Sequence, residues 1–319
     1  MMPGTTGFGR WSKLLWVAPA LVLLTVFVYY PVIENVRLSL FRWSPFTPET
    51  FVGLDNYRQF FADPVAWGAL FNNTAYAVVS VVCQVAGGLV LAAVLEELVH
   101  GRLKGLLRTI YFIPAVLSLT VVGLLFVFVY NPQIGLVNGF LDAVGLGAFK
   151  HSWLGESATA IWSIIAMSQW QNVGYLAILF IVAMQRIPRD LYESAYLDGA
   201  SKVQAFRHIT VPLVRQMTLL ATIITISGAF LVLNEVWVMT AGGPNNSSHT
   251  LASWLYKSAF FNDQFGYAST NAVVIFVNTV IAAAVQLDLA RGRTLQYLSL
   301  IHISEPTRRA TRARKQSTA

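Results

Sequence analysis

The sequence is dominated by long apolar runs that are separated by short charged segments. A helix needs about 20 mostly apolar residues, at 1.5 Å rise each, to cross a hydrocarbon core of about 30 Å. Six runs meet this requirement, at residues 13–34, 69–95, 107–130, 158–183, 216–238 and 268–290. The pattern predicts an all-α integral membrane protein with six transmembrane helices.

Composition supports the same class. Of the 319 residues, 55% are hydrophobic and only 12% are charged, whereas soluble domains carry about 25% charged residues. The single cysteine, Cys83, excludes an intramolecular disulfide and a cysteine metal site. The net charge of +7 comes from short basic clusters between the apolar runs, which is a pattern of membrane topology and not of nucleic-acid binding.

Prolines and the first apolar run refine this reading. Pro31, Pro132 and Pro188 are expected just past the ends of spans, whereas Pro19 and Pro114 lie inside spans and should kink them or open backbone groups to a neighbour. The first run is long for a cleaved signal peptide and has no small-residue cleavage pattern after it. We therefore expect it to be a signal anchor.

Lysine and arginine predict the orientation of the spans. With the N-terminus inside, the inner segments before residue 298 hold 12 basic residues and the outer segments hold 5. Basic residues are enriched on the cytoplasmic side of membranes. Both termini are therefore expected in the cytoplasm.

The last residues have a different character. Leu298–Arg308 reads LSLIHISEPTR, which resembles the in-frame translation of a sequencing adapter. We interpret residues 298–319 as an artefact, residues 13–297 as the membrane domain and residues 1–12 as a cytoplasmic segment. The alternative is a natural basic tail that contacts lipid headgroups. Without the tail, which holds five basic residues and one acidic residue, the net charge is +3.

The most polar internal segment is the loop at residues 187–216. Asp190 follows Pro188 and precedes a helical pattern, which suits an N-cap. Gly199 interrupts the pattern, as glycine does at a turn with positive φ, and Pro212 precedes the fifth span. The loop is predicted to form two short surface helices with an apolar face available to another protein.

The spacing of this loop resembles the EAA loop of ATP-binding-cassette importer permeases. That signature reads EAA, three residues, G, nine residues, I, one residue, LP. The matching positions are Glu193, Ser194, Ala195, Gly199, Ile209, Val211 and Pro212. Ser194 replaces an alanine and Val211 a leucine, and the spacing is intact.

Other segments resemble the carbohydrate-uptake branch of that family, which includes maltose-type and glycerol-phosphate-type permeases. They are APALVLLTVFVYYPV in the first span, FVGLDNYRQFF at 51–61, YFIPA at 111–115, MTAGGP at 239–244 and GYAS at 266–269. The likeness covers about residues 13–290 and is closest to the first permease of a pair.

The resemblance implies a multi-pass subunit of a bacterial-type inner membrane. Its partners would be a second permease, a dimer of ATP-binding subunits and an extracytoplasmic solute-binding protein. ATP and magnesium would be bound by the partner ATPase, with no cofactor or metal in this chain. The EAA loop would be the coupling helix: Glu193 would meet a cationic or polar group, Ala195 would keep the contact shallow and Gly199 would set the turn. The full coupling set is Glu193, Ser194, Ala195, Asp198, Gly199, Ile209 and Pro212. The alternative is a solvated loop without a partner.

Polar side chains at mid-membrane depth indicate where a solute would cross. Such groups usually face a cavity or a neighbouring helix. The candidates are Ser168, Trp170, Gln171, Tyr175, Thr225, Ser227 and Asn278. Neutral donors and acceptors between aromatic rings suit a sugar, and the resemblance puts Ser168, Tyr175 and Thr225 in the substrate cavity. Hydrogen bonding between helices alone is the alternative.

Asn234 and Glu235 are a candidate gate. They lie about 27 Å along the fifth span, near the outer headgroups. For Glu235, a hydrated carboxylate at the membrane interface is favoured over a role as a gate. The chain has no phosphate-binding glycine loop, no GxSxG motif and no paired acids placed for catalysis. Metal-ligand spacing is also absent from the loop histidines, His100, His151, His208 and His249. An enzyme is therefore not expected.

Two other function classes are alternatives to a permease of an ATP-driven importer. An ion-coupled secondary transporter needs intramembrane carboxylates, but Glu96, Glu97, Glu235 and Asp288 all fall near span ends. A membrane-embedded enzyme needs a nucleophile or a metal site. The solute stays open among mono-, di- and oligosaccharides and polyol phosphates. The lack of lysine or arginine at mid-depth argues against a phosphorylated solute.

Overall fold

The computed structural model describes residues 10–97, 99 and 101–303, with side chains described for 16–97, 99 and 101–288. Four helices are long and apolar enough to span a membrane: Trp16–Leu38, Pro64–Glu97, Ala160–Met184 and Phe265–Asp288. Two bent pairs also pass this test, Gly101–Val116 with Leu119–Val129 at 98° and Lys202–Leu213 with Arg215–Phe230 at 70°. The all-α membrane class is confirmed, and six spans result if each bent pair counts as one.

The elements are numbered in chain order. The first half contains α1 Arg10–Leu24, α2 Tyr30–Leu38, β1 Phe41–Ser44, β2 Thr47–Phe51, α3 Asp55–Ala62, α4 Pro64–Ser80, α5 Gly87–Glu97, α6 Gly101–Val116, α7 Leu119–Val129 and α8 Leu136–Ala143. The second half contains α9 Ala160–Met184, α10 Arg189–Leu197, α11 Lys202–Ala205, α12 Val211–Leu213, α13 Arg215–Phe230, α14 Asn234–Met239, α15 Leu251–Phe260 and α16 Phe265–Ile303. Wider π turns join neighbouring helices at Thr25–Tyr29, Val81–Ala86 and Phe206–Thr210.

The first helix runs without a break from α1 through its π turn into α2. Pro31 was predicted past the end of this span, but it lies inside the helix, directly after the π turn. Proline has no N–H for the regular helical hydrogen bond, and the wider turn before it changes the bonding pattern where that donor is missing. No side chain from Trp16 to Leu38 is buried, so this apolar helix is largely uncovered by the rest of the chain.

Helix α9 is the centre of the fold. It packs against α5 and α6 on one side and approaches α4, α13 and α14 on the other. Ile164, Ile165, Met167 and Phe180 are almost completely buried along it. A helix that is apolar on all sides is expected in the interior, and here it fixes the positions of the polar residues that it carries.

The third span breaks later than its proline. Pro114 is expected to kink the span or to open backbone groups to a neighbour. In the structure α6 continues to Val116, and the chain turns at Leu117 and Ser118. The break leaves the carbonyl of Leu117 without a helical partner, and Gln171 Nε2 donates a hydrogen bond to it at 3.2 Å. A side chain from α9 thus satisfies the broken backbone of its neighbour.

The fifth span differs most from its prediction. Residues 216–238 were expected to form one helix, but α13 ends at Phe230 and α14 begins only at Asn234. Asn73 Nδ2 donates to the carbonyl of Ala229, and Thr250 Oγ1 donates to that of Val232, each at 2.5 Å. Buried side chains from α4 and from the start of α15 therefore stabilise the break.

A small hairpin follows the first helix. Strands β1 and β2 are antiparallel, with Phe41 opposite Phe51. Asn56 of α3 donates to the carbonyls of Ser39 and Phe41 at 2.8 and 2.9 Å, which holds the hairpin against α3. Arg37 contacts the carboxylates of Glu34 and Glu49 at 2.6 and 2.8 Å. The hairpin and α3 form a cap at one end of the bundle.

The segment interpreted as an artefact starts inside α16. Its backbone continues the helix over residues 298–303. Residues 304–319 lie outside the described residues, as do residues 1–9 of the expected N-terminal segment.

Candidate functional site

A cavity of about 240 Å³ lies among α4, α9, α13 and α14. Its lining residues are Tyr76, Ser80, Gln84, Leu119, Ser168, Asn172, Tyr175, Leu176, Ile224, Thr225, Gly228, Ala229, Val232 and Glu235. The structure thus brings Ser168, Tyr175 and Thr225 together at one cavity. Apart from Glu235, the lining groups are uncharged.

Helix α9 supplies one wall of this cavity. Ser168 is buried, and Asn172 lies one turn further along the same face. Asn172 Nδ2 donates to the Ser168 carbonyl at 3.0 Å and lies 3.3 Å from its hydroxyl oxygen. Tyr175 is 42% exposed at the cavity. This wall therefore combines a fixed amide–hydroxyl pair with an accessible ring.

The helix that contains α4 and α5 supplies a second wall, which the sequence reasoning missed. Tyr76, Ser80 and Gln84 are spaced four residues apart and so share a face. Gln84 Nε2 donates to Ser80 Oγ at 3.3 Å, and Gln169 Nε2 reaches the same oxygen from α9 at 3.3 Å. A polar residue at every fourth position of an apolar run was the signal that could have found them.

Glu235 lies in the cavity and not at a hydrated interface. The prediction of a wet carboxylate near the headgroups is wrong: the side chain is only 8% exposed and is near the Tyr76 hydroxyl. That prediction assumed one straight helix, whereas the break at 231–233 brings α14 back against the cavity. Asn234, the other candidate gate residue, is exposed and lies outside the cavity.

Four of the predicted pathway residues are not among those that line the cavity. Trp170 packs against Phe126, with ring centroids 5.2 Å apart. Gln171 bonds to the broken backbone of the third span. Asn278 donates to the Val274 carbonyl of its own helix at 2.8 Å, and Ser227 lines no part of the cavity. The structure therefore divides the predicted set in two.

The 187–216 loop forms two short helical segments around Gly199. Helix α10 ends at Leu197, and Gly199 has φ +83°. The Gly199 N–H donates to the Tyr196 carbonyl at 3.1 Å and the Ala200 N–H to the Ala195 carbonyl at 2.9 Å. This is the Schellman type of helix end, which requires a left-handed residue. The turn between the two short helices was predicted at Gly199, and the structure has it there.

Two side-chain contacts fix the second half of the loop. Ser201 caps α11 in a reciprocal pair with Gln204. The hydroxyls of Tyr192 and Thr210 lie 2.8 Å apart and connect α10 to the π turn that follows α11. Burial raises the pKa of the Tyr192 phenol, so this group stays protonated near neutral pH.

The predicted N-cap of the loop is wrong. Helix α10 begins at Arg189, directly after Pro188, and so Asp190 lies inside the first turn. No side-chain cap is formed there. A carboxylate within the first turn still favours the helix through its dipole.

The loop presents an exposed surface. Leu197 is 89% exposed and Val203 is 74% exposed at its tip, and Ala195 and Ile209 are partly buried. Polar and small residues surround this tip; the exposed members of the coupling set are Glu193, Ser194, Asp198, Gly199 and Pro212. A partner can therefore reach both apolar and acidic groups.

The loop also lies against the end of the second span. Lys202 acts electrostatically on Glu97, the last residue of α5. The same continuous helix carries Tyr76, Ser80 and Gln84. One continuous helix, Pro64–Glu97, therefore runs from the loop to the cavity.

Comparison with known proteins agrees with this architecture. Residues 84–291 match the family described as "Binding-protein-dependent transport system inner membrane component". The "Probable ABC transporter permease protein YurN" of Bacillus subtilis (strain 168) is 52% identical over 86% of this chain and 94% of its own length. The "Lactose transport system permease protein LacF" of Rhizobium radiobacter is 34% identical over 88% and 94%.

A solved structure shares the fold. It is a chain of a bacterial ABC transporter involved in the import of the acidic polysaccharide alginate, 20% identical, with a TM-score of 0.77 over 89% of this chain and 96% of that chain. The family match covers more than half of the sequence, and the two relatives cover most of it. The chain therefore belongs to the family of inner-membrane components of binding-protein-dependent transport systems.

Proposed function

We propose that this chain is a permease subunit of an ATP-driven, binding-protein-dependent importer of a sugar or related polyol. The carrying observation is the cavity, whose walls present hydroxyl, amide and phenol groups from three helices. Neutral donors and acceptors match the hydroxyl groups of a sugar, and an accessible ring such as Tyr175 can stack on its apolar face. The lactose permease among the relatives supports the solute class.

The 187–216 loop is the proposed contact with a partner ATPase. Glu193 and the exposed Leu197 lie on its outer surface, and the conformation of Gly199 sets the angle between its two halves. ATP and magnesium are bound by that partner, and this chain is not catalytic. Movement of the loop would be transmitted to the cavity through the Pro64–Glu97 helix. The cavity would then open alternately to the two sides of the membrane.

A second permease is the proposed partner within the membrane. The cavity of about 240 Å³ is below the usual range for ligand pockets, roughly 300–1,000 Å³. The uncovered helix Trp16–Leu38 also offers an apolar surface to a neighbour. The other subunit would complete the cavity, where Trp170, Ser227 or Asn278 could take part.

Basic residues support the orientation. The segment at 102–108, the 187–216 loop and both ends of the membrane domain carry the excess of lysine and arginine, so they face the cytoplasm in this proposal. The hairpin and α3 then face outward, where they would meet the solute-binding protein.

One observation favours a second candidate. Glu235 is a buried carboxylate within the bundle, and intramembrane carboxylates carry protons or sodium in ion-coupled transporters. An ion-coupled secondary transporter would therefore use Glu235 directly. The two candidates differ in their energy source.

The test is reconstitution of this chain with its neighbouring permease, ATPase and binding protein in vesicles. We expect uptake of at least one of lactose, maltose, trehalose or diacetylchitobiose that needs ATP and persists when ionophores remove ion gradients. Uptake without ATP that ionophores abolish would instead establish the ion-coupled candidate. No uptake of any sugar by a well-folded complex would contradict the solute class.

A pull-down tests the coupling loop separately. We expect the tagged chain, truncated after Tyr297, to retain the ATPase in mild detergent and a Glu193→Arg, Gly199→Trp double variant to lose it. Asp55→Arg, a charge reversal at an exposed residue of α3, is the matched control and should retain the ATPase. Retention by the double variant would remove the loop from the contact.

A further inference from the structure

Among the described residues, Glu235 is the only carboxylate that is buried. Of the partly buried ones, Glu34 contacts Arg37 and Glu96 contacts Lys104 and Arg108, whereas Asp63 accepts hydrogen bonds from Trp254 and Tyr267. In the part of the chain that the structure describes, Glu235 forms no ion pair with a lysine, arginine or histidine. A carboxylate so far removed from water normally has a cationic partner.

The surroundings of Glu235 are neutral and polar. The other groups that line its cavity are hydroxyls, amides, tyrosines and apolar side chains. The Tyr76 side chain, 3% exposed, lies beside Glu235 and Ser168, and its hydroxyl closes no well-aligned hydrogen bond within the described residues. The donors nearest the Glu235 carboxylate are the Tyr76 hydroxyl and the N–H of Glu235 itself. Both are neutral, so the carboxylate has no cationic partner within the described residues.

We infer that Glu235 is the charge filter of the cavity: its carboxylate accepts hydrogen bonds from the hydroxyl or ammonium groups of a sugar and repels an anionic sugar. This inference rests on the proposed function. A charged acceptor forms hydrogen bonds about twice as strong as a neutral one. At the low dielectric of a membrane cavity, a second negative charge within a few ångströms is strongly disfavoured.

The position of Glu235 suits this role. It lies in the first turn of α14, after the break at 231–233. Its direction is therefore set by α14 and not by the axis of α13. Thr225 and Ser168 line the same cavity, so a solute that contacts them also lies near the carboxylate. Solute charge is therefore recognised beside the neutral contacts.

The experiment measures solute binding to the complete permease and ATPase complex in lipid nanodiscs, without the binding protein. Its omission removes that protein's own selectivity. The probes are three disaccharides with the linkage of the neutral sugar taken up by vesicles: glucosyl-glucose, glucosaminyl-glucose and glucuronosyl-glucose. Affinity is read from protection against thermal unfolding as a function of probe concentration.

We expect the parent complex to bind glucuronosyl-glucose at least about tenfold more weakly than glucosyl-glucose, and glucosaminyl-glucose at least as tightly. Glu235→Gln should reduce both differences to within about threefold, because the amide keeps the shape and loses the charge. Glu235→Asp should retain discrimination. Thr225→Val should weaken all three probes alike, and Glu156→Gln, remote from the cavity, should change none.

Discrimination that is unchanged in Glu235→Gln would overturn the charge filter, as would a parent complex that binds the three probes equally. Such results leave sugar uptake in vesicles intact. Failure of the proposed function is different, since no neutral sugar would then be taken up at all.

Discussion

Gly174 of α9 and Tyr111 of α6 bring two helix backbones into direct contact. A Cβ atom on Gly174 would lie 1.7 Å from the carbonyl oxygen of Tyr111. Backbone atoms cannot move aside as a flexible side chain can, so α6 and α9 cross at this distance only because residue 174 is glycine. The contact fixes α9, and with it Ser168 and Tyr175, against the third span.

We expect Gly174→Ala to separate α6 from α9 and to lower the free energy of unfolding by about 1–3 kcal/mol or more. The measurement is the thermal unfolding midpoint of the purified complex, together with the yield of monodisperse protein. Gly68→Ala is the control, because no atom lies within 4 Å of an added Cβ at that helical position. Equal midpoints for the two variants would contradict the close crossing.

Asn73 is expected to be essential for the break in the fifth span. Its amide donates to the Ala229 carbonyl at 2.5 Å and its oxygen accepts from the Leu251 N–H at 2.8 Å. Asn73→Leu leaves two buried backbone groups without partners, each costing about 1–3 kcal/mol. Thermal unfolding should show this loss. Asn278→Leu, which removes a bond only within its own helix, should cost much less; a similar cost for both would refute the role of Asn73.

Gly199 should be required for its backbone conformation alone. Its φ is +83°, yet no atom lies within 4 Å of an added Cβ. A left-handed conformation costs an alanine about 1–2 kcal/mol, whereas asparagine tolerates it better. We therefore expect Gly199→Ala to reduce solute-stimulated ATPase activity of the reconstituted complex more than the larger Gly199→Asn. The reverse order would indicate a steric requirement from the partner.

The stability of the loop before α15 should depend on pH. Burial lowers the pKa of His249 to about 4, and the charge of Lys257 acts in the same direction. The folded protein therefore binds this proton less tightly than the unfolded chain, whose histidine has a pKa of about 6.5. Stability should fall by up to roughly 3 kcal/mol as the pH drops from 6.5 to 4, and this contribution should level off below.

Denaturation of the solubilised complex across this pH range measures the effect. His249→Gln should abolish the loss of stability between pH 6.5 and 4, although it also removes the contact of the ring with Ser253. His208→Gln, at an exposed position, should keep it. An unchanged step in His249→Gln would assign the pH dependence to other groups.

The spans could be predicted because their apolar length is a property of the sequence alone. The turn at Gly199 could also be predicted, since only glycine enters that conformation readily. The break at 231–233 could not: Leu231, Val232 and Leu233 are ordinary residues of a membrane helix. Its cause is tertiary, in the donors Asn73 and Thr250. The misplacement of Glu235 followed from this.

Polar residues inside spans were harder to assign. Gln171 and Asn172 are neighbours in sequence and have the same functional groups, yet Gln171 satisfies a broken helix and Asn172 lines the cavity. Depth along a helix is known from the residue number, but the rotation that separates these roles depends on how α9 packs.

The small volume of the cavity bears on how solute preference can change in evolution. One chain supplies walls around only about 240 Å³, and so a complete binding space in the proposed pair is encoded by two genes. Exchanging this gene alone between two importers would join walls selected for different solutes. A change in the size of the accepted solute would then need matched substitutions in both subunits, whereas the proposed preference for solute charge is set by Glu235 of this chain alone.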